Sequence, residues 1–113
     1  MLQLMKKKAL GEFEELVLLA VCILDGKAYG VSVKEEIEKH TGRSILLGAV
    51  HITLYRLQDK GLLVSELGGN TAKRGDRRKR LFTITDVGSR QLRSSQEIRQ
   101  SMWKLIPFLK TGL

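Results

Sequence analysis

Six of the eight residues from Lys73 to Arg80 are cationic: Lys73, Arg74, Arg77, Arg78, Lys79 and Arg80, with Asp76 the one acid among them. Like charges at that density repel, and a polyanion relieves the repulsion. A phosphate backbone does so while releasing its own condensed counterions, which gives binding that weakens as salt rises. Arginines on a narrow loop also suit the minor groove, whose potential attracts them. The competing reading is a solvated loop with no partner, so the decision rests on what surrounds the run. For covalent chemistry the ingredients are thin. The chain has two histidines, His40 and His51, one cysteine, Cys22, and neither a glycine-rich phosphate loop nor a nucleophile motif. Glu12, Glu14 and Glu15 on one helix turn read as a solvated, dipole-favoured start rather than as paired catalytic carboxylates. Two histidines eleven residues apart without a cysteine pair make no recognisable zinc site. No enzyme, cofactor or metal is expected.

The charge is uneven along the chain. Of the net +8 over 113 residues, residues 1–60 supply nine Lys/Arg against eight Asp/Glu, and residues 61–113 supply eleven against four. The positive field therefore belongs to the second half and favours an anionic partner. The longest apolar run, Leu16 to Leu24, is nine residues, against the roughly 20 a membrane-spanning helix needs. The opening Met1 to Lys8 lacks a following apolar core and a small-residue cleavage site, so no signal peptide is read. Cys22 inside the apolar run is expected to be a reduced, buried small hydrophobe in a reducing cytosol. The length allows one cored domain spanning 1–113.

The elements that must position the basic run can be read in order. From Gly11 to Leu24 apolar residues recur at helical spacing, with wider coverage than one stripe, which predicts burial on more than one side, including by a second subunit. Asp25-Gly26-Lys27 ends this helix. A second, amphipathic helix follows Tyr29-Gly30 and stops at Thr41-Gly42. A third runs from Gly48 to Lys60, with Val50, Leu54 and Leu57 on one face and Gly61 as terminator. The period then changes. Residues 62–67 and 80–84 read as strands joined by a long basic tip, a hairpin. Thr85 caps a last helix from Asp86 to about Leu109, where Ile98, Met102, Leu105 and Leu109 follow a 4-3-4 spacing that calls for a partner. Pro107 is placed to kink or end it.

Two helices on a short link, the second with a polar amino-terminal half, have the geometry that lets a recognition helix enter the major groove. His51, Thr53 and Arg56 are the candidates for bases or phosphates, and Tyr55 either joins them or packs beneath the hairpin. The expected fold is mainly α with a small β-hairpin: a winged helix-turn-helix over 10–85 and a C-terminal dimerisation helix over 86–110. Leu16, Leu19, Ile98, Met102, Trp103, Leu105 and Leu109 are the candidate interface of a homodimer.

Several motifs stand in an order that resembles the PadR family of bacterial transcriptional regulators. They are Leu10-Gly11-Glu12-Phe13-Glu14-Glu15-Leu16-Val17-Leu18-Leu19, then Ala28-Tyr29-Gly30, Gly48-Ala49-Val50-His51 through Leu57, Lys60-Gly61-Leu62, Arg77-Arg78-Lys79-Arg80, and Thr83-Ile84-Thr85 with Gly88. The resemblance implies a cytoplasmic, nucleoid-associated dimer, usually a repressor, binding an inverted-repeat operator in double-stranded DNA. Its third helix would enter the major groove and its wing the adjacent backbone or minor groove. The short tail is similar to that of the smaller branch of the family, with a single terminal helix. Some members bind flat aromatic effectors near the dimer interface, which offers Trp103 a small aromatic ligand as an alternative to packing. His51 stands where many members carry Tyr, so the resemblance assigns that position no base contact.

Other classes fit less well. A winged helix also serves as a protein-interaction module, here for an acidic partner, and specific operator binding separates the two. Single-stranded RNA recognition uses exposed aromatics, and the chain has six in all, none interleaved with the basic run. Arg90, Arg93, Arg99, Lys104 and Lys110 spread around the last helix rather than forming one membrane-facing side.

Overall fold

The computed structural model of the chain describes residues 9–68 and 79–109. Helix α1, Glu12–Leu24, begins where the Gly11 N–H donates to Glu14 Oε1 at 3.0 Å, which satisfies one of the amides a helix start leaves unpaired. It ends at Asp25 and Gly26, both at positive φ. Helix α2, Gly30–Thr41, starts with the Tyr29 N–H donating to Ser32 Oγ and stops at left-handed Gly42, whose N–H returns to the Glu38 carbonyl. Helix α3, Leu47–Asp59, ends at Gly61, with φ at +80°, where the Leu62 N–H reaches back to the Leu57 carbonyl.

Strands β1, Leu63–Leu67, and β2, Arg80–Ile84, form an antiparallel pair in which Leu63 faces Ile84, Ser65 faces Phe82 and Leu67 faces Arg80. The Phe82 N–H donates to the Ala28 carbonyl at 2.9 Å, so the segment before α2 is tied to the free edge of β2. Helix α4, Asp86–Trp103, is capped by Thr85, whose Oγ1 accepts the Gly88 N–H and donates to the Gly61 carbonyl. Gly88 lies against the Leu62 carbonyl and leaves no room for a β-carbon, which fixes how closely α4 leaves the hairpin.

The core sits between α1, α2, α3 and the hairpin, where Val17, Leu18, Val33, Val50, Leu54, Leu57 and Leu63 are fully buried. The architecture is the expected mainly α fold with one hairpin. Three local expectations are corrected. Cys22 is exposed, because at about 100° per residue it falls outside the arc that holds Val17, Leu18 and Val21. Glu14 is buried, not solvated. Helix α4 stops at Trp103 and gives way to a 3-10 turn over Pro107–Leu109; proline disfavours helical backbone at the residue before it, and the Leu105 and Ile106 amides instead make tight bonds to Met102 and Trp103 carbonyls. Leu105 therefore lies beyond the helix, and the 4-3-4 series is not one stripe on one helix.

Candidate nucleic-acid interface

The link between α2 and α3, residues 42–46, is fixed at several points. The Ile45 N–H donates to Glu38 Oε2 at 2.9 Å, and Arg43 pairs with Glu12 through both guanidinium nitrogens, at 3.3 and 2.8 Å. The amide of Ile45 and the ammonium of Lys34 hold the Glu38 carboxyl below its usual range, and Arg43 does the same for Glu12. At the other end of α3, Lys60 Nζ meets Glu14 Oε2 at 2.9 Å. Burial pushes the Glu14 carboxyl up, but the bonds from Lys60 and Gly11 and the charges of Lys60 and Arg56 outweigh it and leave the carboxyl below the ordinary value. Helix α3 is thus anchored to α1 and α2 through the link before it and to α1 through Lys60 after it.

The rotation of α3 is set by its buried stripe of Val50, Thr53, Leu54 and Leu57. Thr53, at 4% exposure, belongs to that stripe and is withdrawn from the groove-facing set; a residue three after Val50 and four before Leu57 shares their face. Gly48, Ile52, Tyr55 and Asp59 form the centre of the outward face, flanked by His51 and Arg56, all exposed. The His51 ring lies where a side chain on Gly30 would have to sit, so the glycine lets α2 approach α3. Of the two readings of Tyr55, packing on the hairpin is seen: its ring meets Phe82 edge-on at 5.7 Å, while the residue remains exposed.

The carboxy-terminal end of the basic run is joined to this surface. Arg80 Nη1 donates to Ser65 Oγ at 3.0 Å, and Ser65 in turn donates to Gln58 Oε1 on α3. Lys79 Nζ stands 5.6 Å from the centre of the Tyr29 ring. Lys73, Arg74, Arg77 and Arg78 lie outside the described residues. Ile52 was missed by a reading that sought polar side chains; the phase opposite Val50 and Leu54 was the signal that could have found it.

The second candidate surface runs along α1 and α4. Arg99 Nη1 pairs with Glu15 Oε2 at 2.7 Å and draws α4 across α1. A groove of about 550 Å³ between them is lined by Glu15, Leu19, Leu92, Arg93 and Arg99, among others. Leu19, Ile98, Met102, Trp103 and Leu105 are exposed, Met102 to 63% and Leu105 to 74%, whereas Leu16 is half-buried against the core. Leu109 sits in the 3-10 turn. No helix among the described residues is long and apolar enough to cross a membrane.

Residues 18–94 match the family model described as the transcriptional regulator PadR-like family. Among solved structures the chain is similar to a PadR family transcriptional regulator from Eggerthella lenta DSM 2243, at 25% identity over 83% of this chain and 80% of that one, with a TM-score of 0.65. It is similar also to a PadR-like transcriptional regulator from Bacillus cereus strain ATCC 14579, at 20% identity, 89% and 93% coverage and a TM-score of 0.69. A third, RosR of H. salinarum, gives 22% identity, 86% and 80% coverage and 0.68. No match was found among curated proteins.

Proposed function

The chain belongs to the PadR-like family of transcriptional regulators, and from that membership we propose that it represses transcription as a homodimer seated on an inverted-repeat operator. It is a DNA-binding transcription regulator and not an enzyme. In this reading the chain is one domain, a winged helix-turn-helix over 10–85 followed by a dimerisation helix over 86–110. The amino-terminal half of α3 enters the major groove, where His51, Tyr55 and Arg56 stand along the outward face with Ile52. The carboxylate of Asp59 repels phosphate and marks the end of α3 that stays outside.

Lys73, Arg74, Arg77, Arg78, Lys79 and Arg80 neutralise backbone phosphates beside that groove and supply most of the affinity without reading sequence. One observation carries the reading. The outward face of α3 and the root of the basic loop are tied into one surface, through Tyr55 with Phe82 and through Gln58, Ser65 and Arg80. A loop that was only solvated would need no such registration with a helix.

Dimerisation is assigned to the exposed apolar residues Leu19, Ile98, Met102, Trp103 and Leu105, with Leu16 beneath them and Leu109 at the end. Two copies joined there would set the two α3 helices on half-sites about one helical turn apart, on the order of 34 Å. Trp103 is assigned to packing between the copies rather than to an aromatic effector. The test is selection from random duplex DNA with a salt titration, beside sedimentation of the free protein. Recovery of an inverted repeat by a dimer, with affinity falling steeply as salt rises, supports the reading. No enrichment at low salt would move the function to an acidic protein partner.

A further inference from the structure

We infer that Ile52 reads sequence by seating its side chain against the 5-methyl group of a thymine in the major groove, an inference that rests on the DNA-binding reading above. The buried stripe of Val50, Leu54 and Leu57 fixes the rotation of α3, and Ile52 points away from it, 61% exposed. Helical side chains lean toward the amino terminus, so Ile52 covers the turn at Gly48. That turn has almost nothing on it. Gly48 has no side chain, a β-carbon built there would meet nothing within 4 Å, and Ala49 adds only a methyl. Ile52 is therefore the tallest group at the centre of the outward face over the first two turns, the part of the face that reaches a groove floor first.

Its polar neighbours are turned to other work. His51 lies against Gly30, the Tyr55 ring meets Phe82, Gln58 accepts the Ser65 hydroxyl, and Arg56 stands one turn further along the helix. The patch made by Gly48, Ala49 and Ile52 offers neither side-chain donor nor acceptor. It cannot pair with the N7, O6 or N4 positions of G·C, and pressing an isoleucine on them would strip water from polar groups without replacement. The thymine methyl is the apolar group that the major groove displays, and it takes such contacts. Discrimination then has two sources at one position: burial of a methyl on thymine, and unpaired polar edges on any G·C pair.

The experiment uses the full chain and the operator recovered by selection. Each thymine in the half-sites is replaced singly by deoxyuracil, which removes the methyl alone, and binding of the parent and of Ile52→Ala is titrated by fluorescence anisotropy. At one thymine per half-site, deoxyuracil is expected to weaken the parent about fourfold, the effect of one buried methyl group. Ile52→Ala should bind the two duplexes alike, with a melting curve that overlays the parent's because the side chain is exposed. Ile52→Val should keep most of the discrimination. Deoxyuracil without effect at every position, or a penalty that survives in Ile52→Ala, overturns the role of Ile52 while DNA binding stands. A parent that binds no duplex at low salt overturns the DNA reading itself, and this inference with it.

Discussion

The body formed by α1, α2, α3 and the hairpin and the helix α4 that leaves it are built on opposite terms. In the body, a core of apolar residues is enclosed by its own chain, with Leu19 and Ile52 among those left outside it, and the helix ends are cross-linked by Glu12 with Arg43, Glu14 with Lys60 and Glu38 with the Ile45 amide. In α4 the one buried residue is Gly88; Leu92 packs partly against the core, and Ile98, Met102 and Trp103 beyond it stand in solvent. One region satisfies itself; the other is finished only by contact with something else.

The sharpest way to break the contrast is to charge the open region. Met102→Asp with Leu105→Asp is expected to give monomers in sedimentation with a folded body by circular dichroism. Operator affinity should fall by about 100-fold or more, as the two half-sites lose their linkage. A dimer of unchanged affinity would remove this face from the interface. In the closed region, Leu54→Ala should cost about 2–5 kcal/mol in denaturant unfolding, since the site is fully buried and leaves a cavity. A cost near zero would mean that the core packs otherwise.

The wing is expected to act on affinity and not on folding. Arg77→Ala with Arg78→Ala should reduce the salt slope by about 1.8 while leaving sequence preference and melting temperature in place. An unchanged slope would leave the loop a solvated tip. A smaller effect concerns acid. The Glu14 carboxyl is lower folded than its ordinary value of 4.5, so its contribution to stability is present above that pH and is lost as pH falls through the folded value. Glu12 and Glu38 are shifted in the same direction. Melting temperature should therefore drop below about pH 4.5, and Glu14→Gln should flatten that drop. The smallest effect expected is on readout at Thr53: Thr53→Ser should leave the preferred operator sequence unchanged, because the side chain faces the core.

The order of elements was legible because each carries its own local signal: alternation in the strands, glycine at the ends of α2 and α3, threonine before α4. The family was legible for the same reason, through several short motifs in sequence order. Within the site, His51, Tyr55 and Arg56 were found as polar or aromatic residues on an exposed arc, whereas Ile52 was passed over and Thr53 wrongly included. Residue type suggested contact, but the rotation of α3 decides it. Cys22 and Glu14 exchanged places with expectation on the same ground. An apolar run says that a helix is buried somewhere, and the partners packed on it say which side.

By itself the sequence determined the element order, the basic loop and the kind of partner such a charge suits, since propensity, capping and net charge are properties of neighbours along the chain. The tertiary structure alone decided which side of α3 faces outward and that Lys60 reaches Glu14 across 46 positions. It also decided that Arg80 at the hairpin is tied to Gln58 of α3 through Ser65. Those facts depend on packing between elements distant in sequence, where the burial of Val50, Leu54 and Leu57 outweighs the preference of any single exposed residue.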